Sequence, residues 1–186
     1  LEYAKVAEKK GFQSEELFLL MSEENLILMQ YQPSISYCNK ALKMNEYSHL
    51  AYYYKGKVYE ETNDFDRAVS SFQTSLEQNT NFADAYNSLI KIYSSNRMFD
   101  MASQYVSSGL RFLPNDKFIW YNYGILVENQ ELLDSAIVIY QKVEQLDSTF
   151  DLPKYRMANI YNRNNDFEKS TTYYDKLITL NPTFEV

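Results

Sequence analysis

Along this chain, small and large apolar residues return at intervals of three and four, in stretches of about a dozen residues broken by short polar segments. The pattern is clearest around "YKGKVYEETNDFDRAVSSF", residues 54–72, on either side of "TND". In the first stretch Tyr52, Gly56 and Tyr59 share one face; in the second Ala68, Phe72, Ser75 and Leu76 do. The spacing predicts two helices, and so short a connection makes them antiparallel. Gly56 falls in a helix interior, where glycine costs about 1 kcal/mol relative to alanine. The missing side chain must therefore make room for something. The expectation is a close helix–helix contact between Gly56 and Ala68, with Tyr59, Phe65 and Phe72 filling the space around it.

The same pattern returns at a constant step, the thirty-four positions that separate Ala68 from Ala102. From Ala68 the steps reach Ser34, Ala102, Ala136 and Ser170, all small. From Phe65 they reach Tyr31, Phe99, Leu133 and Phe167, all large and apolar. From Gly56 come Ser22, Ile90, Gly124 and Ala158, and from Tyr59 come Asn25, Tyr93, Val127 and Tyr161. From Asp66 come Gln32, Asp100, Asp134 and Glu168, expected to cap the second helix of each unit and to meet its positive dipole end. No insertion interrupts the register, which predicts five units at 15–48, 49–82, 83–116, 117–150 and 151–184. Pro114 and Pro182 stand just past second helices, where proline stops a helix without penalty. Residues 1–14 predict one more helix, either the end of a preceding unit or a loose cap. The chain opens at Leu1 in what reads as mid-helix, as a segment of a longer protein would.

These residues resemble the tetratricopeptide repeat (TPR) family. The fourth unit carries Trp120, Tyr123 and Gly124, then Ala136, Tyr140 and Val143; the third carries Tyr86, Leu89, Tyr93, Ala102 and Pro114. The first unit departs most, with Ser22, Asn25 and Cys38 at motif places and Pro33 in the first turn of its second helix, where proline is tolerated. The fifth has Lys154 in the tryptophan place and Ser170 in an alanine place. The resemblance implies an all-α fold, a right-handed superhelical solenoid of antiparallel helix pairs. Its concave wall, lined by the first helix of each unit, would hold an extended peptide or a partner helix.

Composition narrows the function. The net charge of −7 over 186 residues opposes nucleic-acid binding, which needs a basic face. Cys38 is a lone cysteine and reads as a small buried apolar residue; His49, the lone histidine, has no second ligand for a metal. No phosphate loop, nucleophile elbow or zinc-binding helix motif occurs. Neighbouring carboxylates such as Glu60–Glu61 and Glu23–Glu24 point in different directions on a helix and read as solvated. The expectation is a non-enzymatic binding protein with no cofactor, no metal and no membrane span in this segment.

On the expected wall stand Leu50, Tyr53, Tyr54 and Lys57; Asp84, Asn87, Ser88 and Lys91; Phe118, Tyr121, Asn122 and Ile125; and Leu152, Tyr155, Arg156 and Asn159, with Glu16 and Glu23 marking an acidic entrance. Tyr53, Lys57, Asn87, Lys91, Tyr121, Asn122, Tyr155, Arg156 and Asn159 are the candidate peptide-binding residues. One branch of the family clamps a terminal carboxylate with lysine, asparagine and arginine. Asn122 and Arg156 fall on matching places, Asn87 and Lys91 stand in swapped order, and Leu152 replaces a lysine. The implied partner is an acidic or C-terminal peptide. The alternative is a regulatory or positioning arm of a larger enzyme. Tyr161, Tyr174 and Leu177 are expected to leave an apolar C-terminal flank partly uncovered, to be closed either by self-association or by a following helix of a longer protein.

Overall fold

The computed structural model describes residue 6 and residues 9–180. The expectation for residues 1–14 falls half outside them and the one for Pro182 wholly outside. Ten helices occur among the described residues: α1 (Glu15–Ile27), α2 (Tyr31–Met44), α3 (His49–Glu61), α4 (Phe65–Gln78), α5 (Ala83–Ser95), α6 (Phe99–Phe112), α7 (Lys117–Asn129), α8 (Leu133–Leu146), α9 (Asp151–Arg163) and α10 (Phe167–Leu180). Odd-numbered helices have 13 residues and even-numbered ones 14. The odd ones begin at Glu15, His49, Ala83, Lys117 and Asp151, one constant step apart. The chain divides into two compact units, Leu1–Ile92 and Tyr93–Val186, the division falling inside α5.

Short polar side chains start several helices. Ser14, Ser48 and Asp116 accept backbone N–H groups of α1, α3 and α7 at 3.1, 3.3 and 2.8 Å. Asp64 and Asp166 cap α4 and α10 at 3.2 Å each. This corrects the assignment of those caps to Asp66 and Glu168. Those residues, with Asp100 and Asp134, lie inside the first helical turn, where they meet the dipole without capping. At the far ends, Asn45, Asn79 and Asp147 turn the chain toward the next pair by accepting the N–H two residues on, at 3.1, 3.1 and 2.9 Å.

The turn inside each pair has a feature invisible in the residue pattern. Met29, Asn63, Arg97, Glu131 and Asn165 all have φ between 57° and 62°, in the left-handed region. They too are spaced by the repeat step. Each is followed by a residue whose N–H reaches back five positions, such as Asp64 to Tyr59 at 2.8 Å and Gln30 to Asn25 at 2.7 Å. Each αL residue itself bonds three positions back. This is the Schellman ending, which normally uses glycine. Asparagine tolerates it; Met29 does so at a cost of about 1–2 kcal/mol. Met29 is 74% exposed, so removing its side chain loses little packing. Met29→Gly is expected to raise stability by about 0.5–1 kcal/mol after the unfolded-state entropy of glycine is subtracted, and Asn63→Gly by less. Urea midpoints of the two variants check this; no gain at Met29 would refute strain in the turn.

In the first unit α1 packs on α2 and α3, and α3 on α4. Phe18, Leu19, Cys38, Ala41 and Ala51 form a buried cluster there. In the second unit α8 packs on α7 and α9, and α9 on α10, around Val127, Ala136, Ile137, Ile139, Tyr140, Met157 and Ile160. The small residues stepped from Ala68 are all buried: Ser34, Ala68, Ala102 and Ala136 are 0% exposed and Ser170 4%. Leu177 on α10 is buried as well, which corrects its placement on an open apolar flank.

Gly56 answers its question differently from the expected Gly56–Ala68 contact. A Cβ at Gly56 would stand 2.6 Å from Cε1 and 2.7 Å from Cδ1 of Phe72. The glycine accommodates a ring from the paired helix, and Phe72 is 0% exposed as a result. Phe65, expected beside it, is 43% exposed at the helix start. Gly124 does the same for Tyr140, whose Cδ1 would lie 2.7 Å from such a Cβ. In the first pair both partners are small: Ser22 Oγ lies 2.9 Å from Cys38 Sγ and 3.0 Å from Ser34 Oγ. Burial pushes the Cys38 thiol up to about 11, against a weaker opposing hydrogen bond from Ser22, so it stays a protonated packing residue.

Lys154, in the tryptophan place, is 2% exposed. Its ammonium donates to the carbonyls of Ser148 at 2.5 Å and Phe150 at 3.2 Å. Trp120 Nε1 donates to the carbonyl of Pro114 at 2.9 Å, also six residues back. The two residues thus perform one task, tying the first helix to the preceding turn. The carbonyls, with Asp151 Oδ1 at 3.7 Å, compensate the buried charge.

Candidate binding faces of the two units

Aromatic packing on the first-helix walls repeats at twice the unit length. In the first unit the Tyr53 ring lies 5.7 Å from Phe72 and 5.0 Å, edge to face, from Phe82. In the second unit Tyr121 lies 5.9 Å from Tyr140 and 5.2 Å from Phe150. Two flat stacked pairs in the second unit, Tyr93–Tyr105 at 5.5 Å and Tyr161–Tyr173 at 5.7 Å, are separated by the same double step. Offset and edge-to-face geometries are those that aromatic quadrupoles favour.

The candidate cations are engaged by glutamates. Lys57 Nζ is 2.5 Å and Lys91 Nζ 3.3 Å from the carboxylate of Glu60, whose side chain is 11% exposed. In the second unit Arg156 and Arg163 stand 3.6 and 4.0 Å from Glu128, whose side chain is 14% exposed. Tyr140 donates its hydroxyl to Glu128 at 2.7 Å. Burial, then Glu128, hold that phenol far above the ordinary range, so it remains a donor. Burial depresses the Arg156 guanidinium, but the hydrogen bond with Tyr121 and the charge of Glu128 outweigh it and leave it more firmly protonated than usual. Asn159 Oδ1 accepts the Tyr174 hydroxyl at 2.6 Å, and the Tyr155 ring packs 6.5 Å from Tyr174.

The structure thus brings Lys57 and Lys91 together at Glu60 in the first unit, with Tyr53 one turn before Lys57 on α3 and Asn87 one turn before Lys91 on α5. It brings Arg156 to Glu128 in the second, where Tyr121 and Asn122 stand on α7 and Tyr155 and Asn159 flank Arg156 on α9. Glu60 and Glu128 are absent from the sequence-based wall. The residue pattern assigns Glu60 to a solvated face; its partial burial between two lysines corrects that. The available signal is the separation of the two glutamates by two units, shared with Gly56 and Gly124. Burial raises Tyr53 to about 12, with Asp84 adding to the effect. His49, at the start of α3, packs edge-on against Phe82 at 5.0 Å. Among the described residues no cluster of three metal-ligating side chains occurs, and no helix is long and apolar enough to cross a membrane.

Tandem antiparallel pairs of this length define an all-α helical-repeat protein of the superhelical class. Residues 49–82 and 154–184 match the tetratricopeptide repeat family. These matches fall on the α3–α4 and α9–α10 pairs. It is 24% identical over 185 residues to the TPR repeat-containing protein MJ1428 of Methanocaldococcus jannaschii, covering 96% of this chain and 29% of that protein. It is 18% identical to anaphase-promoting complex subunit 3 of Schizosaccharomyces pombe over 82% of this chain and 23% of that one. The chain therefore spans less than a third of either relative. Among solved structures it resembles MamA from Desulfovibrio magneticus, with a TM-score of 0.72 at 17% identity over 92% of this chain and 97% of that one. It also resembles YrrB, described as a TPR protein with an unusual peptide-binding site, with a TM-score of 0.64 at 20% identity over 96% and 92%. These structural likenesses establish the fold.

Proposed function

We propose that the first-helix walls bind a peptide or partner helix of another protein, and that the chain acts as a non-enzymatic scaffold. The observation that carries this is the exposed apolar pair Phe118 and Leu152, at 47% and 41%, on the same place of successive first helices in the second unit. Tyr121 and Arg156 are next to them on α7 and α9. Exposed apolar residues beside an aromatic ring and an arginine have the composition of a binding hot spot. YrrB, which shares the fold, is described as having an unusual peptide-binding site.

The second unit's wall takes an acidic or C-terminal segment. Arg156 is 37% exposed on its side chain, and its 3.6 Å separation from Glu128 leaves guanidinium donors for an incoming carboxylate. Glu128 keeps Arg163 and Tyr140 when Arg156 turns to a ligand. Arg156→Ala is expected to weaken binding of a labelled peptide with a free, acidic C-terminus by about 2 kcal/mol, a loss that shrinks in high salt. Fluorescence anisotropy measures it. Full binding by a folded Arg156→Ala variant would overturn the anionic reading and leave the apolar pair as the contact. A positioning arm of a larger enzyme would use the same wall. Self-association through α10 would use Phe167 and Ile178, large apolar residues that are exposed among the described ones, at 60% and 64%.

A further inference from the structure

The wall of the first unit has the opposite charge character. On α1, Glu16, Leu20 and Glu23 follow one another at four and three residues, forming one exposed stripe in which Leu20 is 47% exposed. On α5, Asp84 is exposed. Among the described residues none of Glu16, Glu23 and Asp84 forms an ion pair, whereas both lysines of this wall, Lys57 and Lys91, are held by Glu60. Glu60 offsets only one of the two lysine charges, but with Glu16, Glu23 and Asp84 counted the carboxylates of this wall still outnumber its lysines, and its net charge is negative.

Aromatic rings connect the carboxylates. Tyr53 and Tyr54 pack with ring centroids 5.7 Å apart. The phenol of Tyr54 feels the charge of Glu23 on α1, and that of Tyr53 the charge of Asp84 on α5. Burial and these carboxylates raise both phenols, so the rings stay neutral and retain their negative faces. Carboxylates next to neutral tyrosine rings attract ammonium and guanidinium groups by charge and by cation–π contact. The exposed Leu20 offers an aliphatic contact within the same stripe.

We propose that the first unit docks a basic peptide segment, its Lys or Arg side chains drawn to Glu23 and Asp84 beside Tyr53 and Tyr54, with an aliphatic neighbour against Leu20. This rests on the first helices being binding faces, but it concerns the other unit and the other charge, so the two readings can fail separately.

The test uses three labelled ten-residue peptides of matched hydrophobicity: one alternating Lys/Arg with Leu, one alternating Glu with Leu, and one alternating Ser with Leu. Titration by fluorescence anisotropy should show the basic peptide binding at least tenfold more tightly than the serine peptide. Glu23→Gln/Asp84→Asn should abolish at least nine-tenths of that affinity. Glu46→Gln/Glu77→Gln, which removes the same charge from other exposed positions of this unit, should change it less than twofold. That control separates docking from the general attraction of a chain of net charge −7. Arg156→Ala should leave the basic peptide unaffected. Equal loss in both double variants, or equal binding of the basic and serine peptides, overturns the inference. If Arg156-dependent binding of the acidic-tailed peptide persists in that case, the scaffold reading survives without it.

Discussion

Phe72→Ala is expected to destabilise the first unit by about 3–5 kcal/mol, toward the upper end of that range. The ring is fully buried and packs against Tyr53 at 5.7 Å. The cost of truncation depends on how far the surroundings collapse into the void. Here the facing residue is Gly56, which has no side chain to move into it. Urea unfolding followed by circular dichroism measures the loss. The stronger check is a double variant. Gly56→Leu alone should overpack against Phe72 and destabilise. In the Phe72→Ala background the same leucine should fill the vacated space and recover about 1 kcal/mol or more, a coupling expected only of residues in contact. Additive losses would mean that the glycine does not exist for the ring.

Gly124→Val is expected to cost about 3 kcal/mol, at the upper end of ordinary overpacking. The new Cβ would fall well inside contact distance of Tyr140, and Tyr140 is 0% exposed, so its ring can yield only by disturbing its packed neighbours. The effect reaches the candidate binding face. Tyr140 donates to Glu128, which is 3.6 Å from Arg156. Displacing the ring removes a donor from Glu128 and frees that carboxylate to hold Arg156 more tightly. Gly124→Val should therefore weaken binding of an acidic-tailed peptide even below the melting transition. Thermal unfolding together with anisotropy on the folded variant would show both losses. Unchanged stability would mean that this part of the α7–α8 contact is looser than the packing indicates.

The helices and their period are legible without coordinates. Amphipathic spacing and the stepped small residues are properties of a helix and its own turn, so the chain displays them locally. The buried Ala102 and Ala136 are found in this way. The charge pairing of the candidate walls is not legible in the same manner. Lys57, Lys91 and Arg156 each look like a free cation on the face of its own helix. Glu60 stands three residues beyond Lys57 and faces Lys91 from another helix, and Glu128 reaches Arg156 from α7. Only the arrangement in space shows that they meet.

The sequence by itself determined an all-α chain of antiparallel pairs, its constant step, and the need for small residues at fixed places. It also showed that Gly56 and Gly124 needed a reason, though not which one. The tertiary structure decided that each glycine faces a ring of the paired helix, since the partner sixteen residues away is selected by how two helices cross. It decided that Met29, Arg97 and Glu131 adopt a backbone suited to glycine, because closing the hairpin at a fixed length outweighs their local preference. And it decided the sign of each wall, because a surface charge counts only after the charges facing it from neighbouring helices have been subtracted.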